Sequence, residues 1–296
     1  MRAAQITELG RPPQVGEASE PDGVALEVLA AALNPIDLAV AAGKFYGGHP
    51  PLPFVPGCEC VGREAGGRIV WTFGGGLGLT RDGAMAERTL PGSVVAEVPD
   101  GADPALAVAL GIAGLAGWMP VAWRVPVRAD DRVLVLGATG TAGQVALQAA
   151  RLLGAAHIVA AGRDPELLER ALSLGADEAV TLDGDLGEPT YVFDPLCGEP
   201  LERALAAAAP GARIVQLGQS AGPTATVPSA AVRGKQLELY GYSNFAVAAD
   251  ILVEHYRRLV DHALAGRIAV DVERIGLDEL EDAWGRRGKQ VVCPSF

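Results

Sequence analysis

A glycine-rich stretch offers the clearest chemistry in the sequence, the binding of a phosphate group. It follows four apolar, strand-forming residues, 133–136, and leads into a segment of helical length that stops at Gly154. Glycines let the backbone approach a ligand closely, and the first N–H groups and positive dipole end of a helix attract an anion. The pattern predicts the first half of a βαβ unit, with a cofactor-binding turn made of Ala138, Thr139, Gly140, Thr141, Ala142 and Gly143.

The turn departs from the dinucleotide-binding fingerprint G-x-G-x-x-G at one position. Gly140 and Gly143 fall in register, but Ala138 stands where the first glycine belongs, with Gly137 in front of it. The glycine pattern alone is therefore a weak signal, and its interpretation depends on the strand that follows the helix.

That next strand is predicted at 157–161 and ends in Gly162-Arg163-Asp164, where a dinucleotide-binding unit contacts the ribose. Asp164 precedes a proline and is interpreted as the N-cap of the following helix, so the remaining charge is that of Arg163. A guanidinium suits a 2′-phosphate better than a bare ribose, which favours NADP(H) over NAD(H). The alternative that Arg163 is a solvated loop residue stays open.

Length, charge and hydropathy limit the classes of partner. The chain has 296 residues, enough for two domains, and its formal net charge of −12 disfavours nucleic acid and an anionic membrane surface. The N-terminal residues contain no apolar run of signal-peptide length, so we expect a cytoplasmic protein. The uncharged stretch 104–123 has the length of a membrane span, but its Ala, Gly and Pro content and the cap-like Asp103-Pro104 favour a buried helix.

The cysteines do not have the spacing of a metal site. Cys58 and Cys60 are close in sequence, but a Cys-x-Cys pair without a second pair or a nearby histidine is not a zinc-site spacing. We therefore expect reduced and mostly buried thiols.

The first hundred residues are predicted to be mainly β structure. Short strands separated by Gly, Pro and Asp are typical of a small barrel or sandwich. The predicted strands are 3–8, 23–31, 57–63, 68–72, 84–89 and 94–98. One short helix, 36–42, interrupts them, with Asn34 as its N-cap, Pro35 at its first position and Gly43 at its end.

Beyond a helix at 104–117, strands and helices alternate, which indicates a doubly wound parallel sheet. Strands are predicted at 133–136, 157–161, 179–182, 191–194, 213–217 and 237–242, and helices at 142–153, 165–174 and 200–209. The loop between 182 and 191 is too short for a crossover helix, so one face of the sheet should be thinly covered. A long helix, 246–265, follows. The tail, with strand-like segments at 268–272 and 290–293 and a short helix at 277–284, is expected to return to the first domain.

Taken in order, several motifs make the chain similar to the medium-chain dehydrogenase/reductase superfamily, in its zinc-independent, zeta-crystallin-like quinone oxidoreductase branch. They are ALNPID (32–37), LPFVPGCECVG (52–62), GAMAE (83–87), the glycine-rich turn, LGAD (174–177), FDPLCG (193–198), PGARIVQLG (210–218) and GKQVV (288–292). The resemblance implies an α/β fold, with a Rossmann sheet that binds NADP(H) and an N-terminal GroES-like β-barrel completed by the C-terminal segment. The implied domains are 1–118 (catalytic), 119–245 (NADP-binding) and 246–296 (return to the catalytic domain).

The same resemblance implies where the small-molecule substrate binds. It would lie in the cleft between the domains, against the nicotinamide. The residues implied near the nicotinamide are Leu217, Gly218, Gln219, Tyr242, Ser243 and Asn244. A homodimer, formed through the sheet edge near 227–240, is a further expectation from the resemblance.

The resemblance also implies that the catalytic zinc of other relatives is absent. Zinc-dependent members carry a cysteine at the position of Asn34, a Gly-His-Glu motif at that of Gly57-Cys58-Glu59, and another cysteine near Ile112. Here only Cys58 could bind, and catalytic zinc takes three protein ligands. We therefore expect no metal; Glu59 is either structural or faces the former metal position.

Without a metal, the predicted reaction is hydride transfer from NADPH to a quinone or another conjugated carbonyl. The alternatives are an enoyl or enone (C=C) reductase of a biosynthetic pathway and a non-redox NADP(H)-binding sensor. A hydrogen-bond donor would stabilise the developing oxyanion. The candidate donors are Asn34, Tyr46, Tyr242 and Asn244.

Each candidate has a structural alternative. Asn34 either only caps its helix or also contacts the nicotinamide pocket, which the resemblance favours. Tyr46 lies in a Gly- and Pro-rich loop, and the pocket tyrosine of the family falls on Phe45, one residue earlier. Asp37 is interpreted as a first-turn acid rather than an acid–base catalyst. At Tyr242 and Asn244, the backbone rather than the side chains is the part that the family brings to the nicotinamide.

Overall fold

The computed structural model describes residues 1–295, which form two compact units. Unit 1 consists of Met1–Ala113, Val247–Leu264 and the C-terminal stretch from Val270, and unit 2 consists of Gly114–Ala246 and Ala265–Ala269.

Unit 1 is built on an antiparallel sheet to which the C-terminal segment contributes. Its strands are β1 (Arg2–Gln5), β2 (Gln14–Glu17), β3 (Leu26–Ala32), β4 (Glu59–Arg63), β5 (Ile69–Phe73), β6 (Arg88–Thr89), β7 (Val94–Glu97), β14 (Glu273–Ile275) and β15 (Gln290–Val292). The main sheet has the order β14-β15-β3-β4-β5-β7, β6 pairs with β3, and β1 and β2 form a separate pair. β15 pairs antiparallel with β3, so a strand from the C-terminal segment lies beside a strand from the first part of the chain in the same sheet.

Two strands of unit 1 differ from the sequence prediction. The strand expected at 268–272 is found slightly later, at Glu273–Ile275, where it pairs parallel with β15. β2 was not predicted, because its residues are mostly exposed and lack an apolar alternation. Pairing with β1, rather than burial of its own side chains, accounts for this strand.

Unit 2 contains the doubly wound parallel sheet that the alternation of strands and helices predicted. Its strands are β8 (Arg132–Leu136), β9 (His157–Gly162), β10 (Glu178–Thr181), β11 (Tyr191–Asp194), β12 (Arg213–Gln216) and β13 (Glu238–Gly241), in the order β10-β9-β8-β11-β12-β13. Every pair in this sheet is parallel. In β8, residues 133–136 are fully buried, as expected for a parallel strand covered on both faces.

The helices follow the predictions, with one addition and with one predicted helix, 104–117, broken into parts. They are α1 (Pro35–Ala41), α2 (Pro104–Ala109), α3 (Leu115–Met119), α4 (Thr141–Leu152), α5 (Pro165–Ser173), α6 (Gly198–Ala207), α7 (Ser229–Lys235), α8 (Ala249–Leu264) and α9 (Leu280–Ala283). The chain passes from β10 to β11 through residues 182–190 without a helix, which confirms the thin layer. α7 was not predicted; all its residues are at least partly exposed, so no apolar stripe marks it.

The apolar stretch after residue 103 is not one regular helix, contrary to the prediction for 104–117. Between α2 and α3 the chain forms a π-helical segment, Leu110–Gly114, and Gly111 has a non-helical ψ of −113°. A second π segment, Pro120–Arg124, follows α3. The whole stretch Pro104–Arg124 has the length and apolarity of a membrane span, and 72% of its most apolar window is buried inside the protein. This burial fits a core segment.

Candidate functional site

In the glycine-rich turn of unit 2, a side chain has room at Gly140 but not at Gly137 or Gly143. Gly137 has a left-handed φ of +63°, which explains why a glycine is needed there and not at Ala138. A methyl group added at Gly143 would overlap the Gly137 carbonyl oxygen, so this glycine allows α4 to pack on the turn. A methyl group added at Gly140 would make only an ordinary 3.5 Å contact. Gly140 is thus a position where space beside the backbone is kept free.

The backbone of the turn is held by two short-range connections. The Ala138 N–H donates to the Ala161 carbonyl at 3.0 Å, and the Gly140 N–H donates to the Gly137 carbonyl at 3.0 Å. Gly140 is the N-cap residue of α4, with an extended backbone. Thr141 and Ala142 therefore occupy the first helical turn, where backbone N–H groups have no partner within the helix. This is the part of a helix that binds anions.

The end of β9 lies next to this turn and carries Arg163. A methyl group added at Gly162 would lie 3.0 Å from the Thr139 methyl carbon, so the strand end and the turn are in close contact. The Asp164 carboxylate accepts from the Glu166 N–H at 3.2 Å, which confirms that it caps α5. Arg163 is exposed beside it. Arg163 is the side chain that the sequence assigned to a 2′-phosphate.

The other predicted cofactor contacts follow β12 and β13 at the same carboxyl edge of the sheet. The Leu217 N–H donates to the Asp194 carbonyl at 2.9 Å, which fixes the chain as it leaves β12. A methyl group added at Gly218 would overlap the Pro195 carbonyl oxygen, whereas Gln219 is exposed. Ligands of doubly wound sheets bind at this edge.

Tyr242 and Asn244, after β13, form a buried pair. The Tyr242 hydroxyl donates to Asn244 Oδ1 at 2.6 Å, and the two residues are 9% and 6% exposed. Burial raises the pKa of the Tyr242 hydroxyl, so this group stays protonated at neutral pH and acts as a donor. Between them, Ser243 is exposed, and its hydroxyl accepts from the Phe245 N–H at 3.3 Å. Two of the four predicted donor candidates thus form one hydrogen-bonded unit.

Asn34, the third donor candidate, lies in unit 1 and is buried with both ends of its amide bonded. Its Nδ2 donates to Glu59 Oε1 at 2.8 Å, and Lys289 Nζ donates to its Oδ1 at 2.6 Å. Asn34 is the N-cap residue of α1, as predicted, but its side chain makes no capping hydrogen bond. Instead, the Asp37 carboxylate accepts from the Asn34 N–H at 2.7 Å. The side chain is therefore part of a buried polar network rather than a simple cap.

The two carboxylates beside Asn34 are fully enclosed. Asp37 also accepts from the Cys58 N–H at 2.9 Å, which agrees with a structural first-turn acid. Burial raises the pKa of Asp37 and of Glu59, and the charge of Lys289 opposes both shifts. Burial and the two nearby carboxylates raise the pKa of the Cys58 thiol, which stays protonated.

Glu59 also stabilises the break between α2 and α3. Its Oε2 accepts from the Ile112 N–H at 2.7 Å and from Trp71 Nε1 at 2.8 Å. A methyl group added at Gly111 would overlap both Glu59 Oε2 and Trp71 Nε1. The glycine therefore lets the carboxylate reach the broken helix and satisfy an N–H group there. Glu59, left open by the sequence, has a structural role here.

These residues do not suit a catalytic zinc ion. The positions compared above with zinc ligands hold Asn34, whose amide is bonded at both ends, Ile112, which contributes a backbone N–H, and Cys58, which is the single thiol among them. Zinc requires deprotonated sulfur or free nitrogen and oxygen ligands. Within residues 1–295, no group of three or more His, Cys, Asp or Glu side chains is arranged to hold a metal ion.

Tyr46, the fourth donor candidate, lies on the surface of unit 1. Its side chain is 89% exposed, and its ring lies 4.5 Å from that of Phe45. Trp71 belongs to the core, because it is fully buried and stacks on Tyr256 at 4.5 Å.

Sequence reasoning missed Lys289 as a member of the buried network. The lysine is 4% exposed and donates to Asn34, 255 residues earlier in the chain. The GKQVV motif identified the segment, but the pairing of β15 with β3, which brings the lysine to Asn34, cannot be read from local pattern.

Comparison with known proteins gives consistent matches. Residues 142–261 match the zinc-binding dehydrogenase family. A phenolphthiocerol/phthiocerol polyketide synthase of Mycobacterium tuberculosis is 30% identical over 275 residues, or 82% of this chain, and this chain spans 12% of the length of that protein. Quinone oxidoreductase-like protein 2 of Rattus norvegicus is 27% identical over 260 residues, covering 81% of this chain and 74% of the relative.

A solved structure matches over the whole chain. The quinone oxidoreductase of Thermus thermophilus, solved also as its complex with NADPH, has a TM-score of 0.83 with this protein. The match covers 99% of this chain and 100% of that one at 28% identity.

Proposed function

Because the chain belongs to the medium-chain dehydrogenase/reductase superfamily, in its zinc-independent quinone oxidoreductase branch, we propose that it is an NADPH-dependent oxidoreductase. It transfers a hydride to a quinone or to another conjugated carbonyl compound. Such an acceptor already delocalises negative charge, so the reaction does not need a metal ion to polarise the substrate.

The observation that carries this proposal is the open position at Gly140. The turn is closely packed at Gly143, yet it keeps space beside the exposed backbone of Gly140, at the first turn of a twelve-residue helix. This arrangement suits the pyrophosphate of a dinucleotide. Arg163 at the end of β9 supplies the positive charge that a 2′-phosphate requires, and the Thermus thermophilus relative forms a complex with NADPH.

When bound, the cofactor supplies the hydride, and the residues of this chain bind and orient the reactants. We propose that the Asn244 side chain, held by the Tyr242 hydroxyl, serves on the acceptor side of the reaction. Since Oδ1 of Asn244 receives the Tyr242 hydroxyl, the amide is turned so that its NH₂ end points away from the phenol. A fixed N–H donor at a developing oxyanion lowers the barrier without a proton transfer.

Steady-state kinetics with a panel of acceptors tests the proposal. We expect NADPH oxidation with quinones, and a higher specificity constant for NADPH than for NADH. Faster turnover of enones or enoyl thioesters than of quinones would identify a C=C reductase instead. Tight NADPH binding with no oxidation by any acceptor would favour a non-redox sensor.

We also propose that the protein acts in the cytoplasm as a homodimer. β13 is the last strand of its sheet, and Leu239 on it is 53% exposed, with Val227 nearby in sequence 48% exposed. An edge strand with exposed apolar residues favours pairing with a second copy. Sedimentation of the wild type should give the mass of a dimer, and Leu239→Lys should shift it toward the monomer.

A further inference from the structure

Unit 1 buries an ammonium group and two carboxylates in one place. Asp37, Glu59 and Lys289 are 1%, 0% and 4% exposed. Each of these groups loses its hydration on burial, which is unfavourable unless opposite charges and hydrogen bonds compensate for it. Their charges, two negative and one positive, are therefore expected to stabilise one another.

The Asn34 amide links these charges in a single orientation. An ammonium group can only donate hydrogen bonds and an ionised carboxylate can only accept them. Lys289 Nζ donates to Asn34 Oδ1 at 2.6 Å and to the Leu33 carbonyl at 3.2 Å, while Asn34 Nδ2 donates to Glu59 Oε1 at 2.8 Å. Turning the amide over would place like groups against each other at both ends. The charged pair thus fixes the rotamer of Asn34.

The network extends from this amide to three further segments of unit 1. Glu59 binds the Ile112 N–H at the helix break and the Trp71 ring nitrogen, and Asp37 binds the N–H groups of Asn34 and Cys58. The two carboxylates thus connect β4, β5, the start of α1 and the break after α2 by hydrogen bonds. Lys289 is the cation that balances their charge.

We propose that Lys289 is the resident cation of this centre and positions Asn34 and Glu59 through its charge. It supplies the positive charge that balances the carboxylates of Asp37 and Glu59. The chain therefore needs no metal at this centre, although residues 142–261 match a family described as zinc-binding.

The charges of the neighbouring groups give the proposal a specific pH dependence. The groups that interact with Lys289, Asp37 or Glu59 are Asn34, Cys58, Cys60, Trp71, Tyr256 and the Ile112 N–H. Lys289 lowers the pKa of Asp37 and of Glu59, whereas burial raises both above their ordinary values. Without Lys289 both pKa values rise further, so the folded state holds protons that the unfolded state releases. The free energy of unfolding of such a variant must therefore fall as the pH rises from the pKa values of these carboxylates in the unfolded state to their higher values in the folded state.

A double-mutant cycle between Lys289 and Glu59 tests the proposal. The variants are Lys289→Met, Glu59→Gln and the combination, with the exposed Lys44→Met as a control in the same unit. We expect Lys289→Met to lower the Tm by on the order of 10 °C, with a larger loss at pH 8 than at pH 6. Lys289→Met should cost much less in the Glu59→Gln background than in the wild type, and that smaller cost should depend less on pH; Lys44→Met should change neither stability nor its pH dependence.

Three results would overturn the proposal. They are an unchanged Tm for Lys289→Met, a loss that is equal at both pH values, and a cost of Lys289→Met that is the same in the Glu59→Gln background as in the wild type. If Lys289→Met does not fold, we expect the double variant to fold. A double variant that also fails to fold would contradict the role of Lys289 as the resident cation. Treating the wild type with a zinc chelator should leave its Tm unchanged, and a fall would show that a metal ion, not Lys289, holds the centre together.

Discussion

The glycine-rich turn of unit 2 and the buried network of unit 1 use polar groups in opposite ways. At the turn, the groups that matter are backbone N–H groups at the start of α4, beside an exposed Gly140. In the network, the amide of Asn34 and both carboxylates already have partners inside the protein. The turn keeps hydrogen-bonding capacity for a ligand, and the network is complete without one.

This difference is the basis of our proposals that unit 2 binds the cofactor at the turn and that unit 1 needs no metal ion. Buried polar groups that lack partners are costly, so a site prepared for a ligand keeps its donors near solvent until the ligand arrives. A site whose charges are already balanced has no such requirement. Substitutions in the network of unit 1 should therefore lower the free energy of unfolding, and substitutions at the turn of unit 2 should weaken NADPH binding.

The largest effect is expected for Gly111→Ala, which disturbs the network directly. The added methyl group would overlap Glu59 Oε2 and Trp71 Nε1, and one of these buried hydrogen bonds must break. We expect the free energy of unfolding to fall by roughly 3–5 kcal/mol, as measured by denaturant titration. Gly66→Ala, at an exposed turn with open space around it, is the matched control. Equal stability of the two variants would show that the helix break does not depend on Glu59.

Gly140→Val should give the opposite result, a loss of binding without a loss of stability. A Cβ at this position makes only an ordinary contact in the folded protein, and the valine side chain would occupy the space proposed for the pyrophosphate. We expect the Kd for NADPH to rise by about 100-fold, close to 3 kcal/mol, with an unchanged unfolding curve. Gly234→Val, at an exposed position of α7, is the control for fluorescence titration. Intact affinity in Gly140→Val would refute the placement of the cofactor.

Arg163→Ala sharpens the identity of the cofactor. Hydrogen bonds to a charged group contribute about 1.5–3 kcal/mol, so the Kd for NADPH should rise by roughly 10- to 100-fold. The Kd for NADH, which lacks the 2′-phosphate, should stay the same. If the preference for NADPH is unchanged, Arg163 is the solvated loop residue that the sequence left as the alternative.

Tyr242→Phe should produce the smallest effect, and only on catalysis. Removing the hydroxyl releases the Asn244 amide from its fixed orientation while leaving the ring in place. We expect kcat to fall by about 3- to 10-fold, as for the loss of one neutral hydrogen bond, with no change in the Kd for NADPH. A change in the Kd for NADPH without a change in kcat would indicate that Tyr242 and Asn244 contact the cofactor rather than the acceptor.

The sequence predicted the parts of the molecule that are set by local pattern. The alternation of strands and helices specified the parallel sheet, and Asp164 before a proline specified the cap of α5, because caps and periodicity act over a few residues. The register of Gly140 and Gly143 likewise specified the turn.

The buried network could not be predicted, because its contacts are distant in the chain. Asn34 and Lys289 meet only when β15 pairs with β3, and Glu59 reaches Ile112 only because the helix breaks at Gly111. The residues around Gly111 continue an apolar, helix-compatible pattern, so the break has no local signal. Tyr46 was a donor candidate in a loop where the pocket tyrosine of the family falls one residue earlier, and its side chain is 89% exposed.

The most direct test of a metal-free, NADPH-dependent reductase is turnover of NADPH with benzoquinone by protein dialysed against a zinc chelator. We expect that turnover is retained in full, is faster with NADPH than with NADH, and disappears in Gly140→Val. Loss of turnover on chelation, restored by added zinc, would contradict the metal-free mechanism.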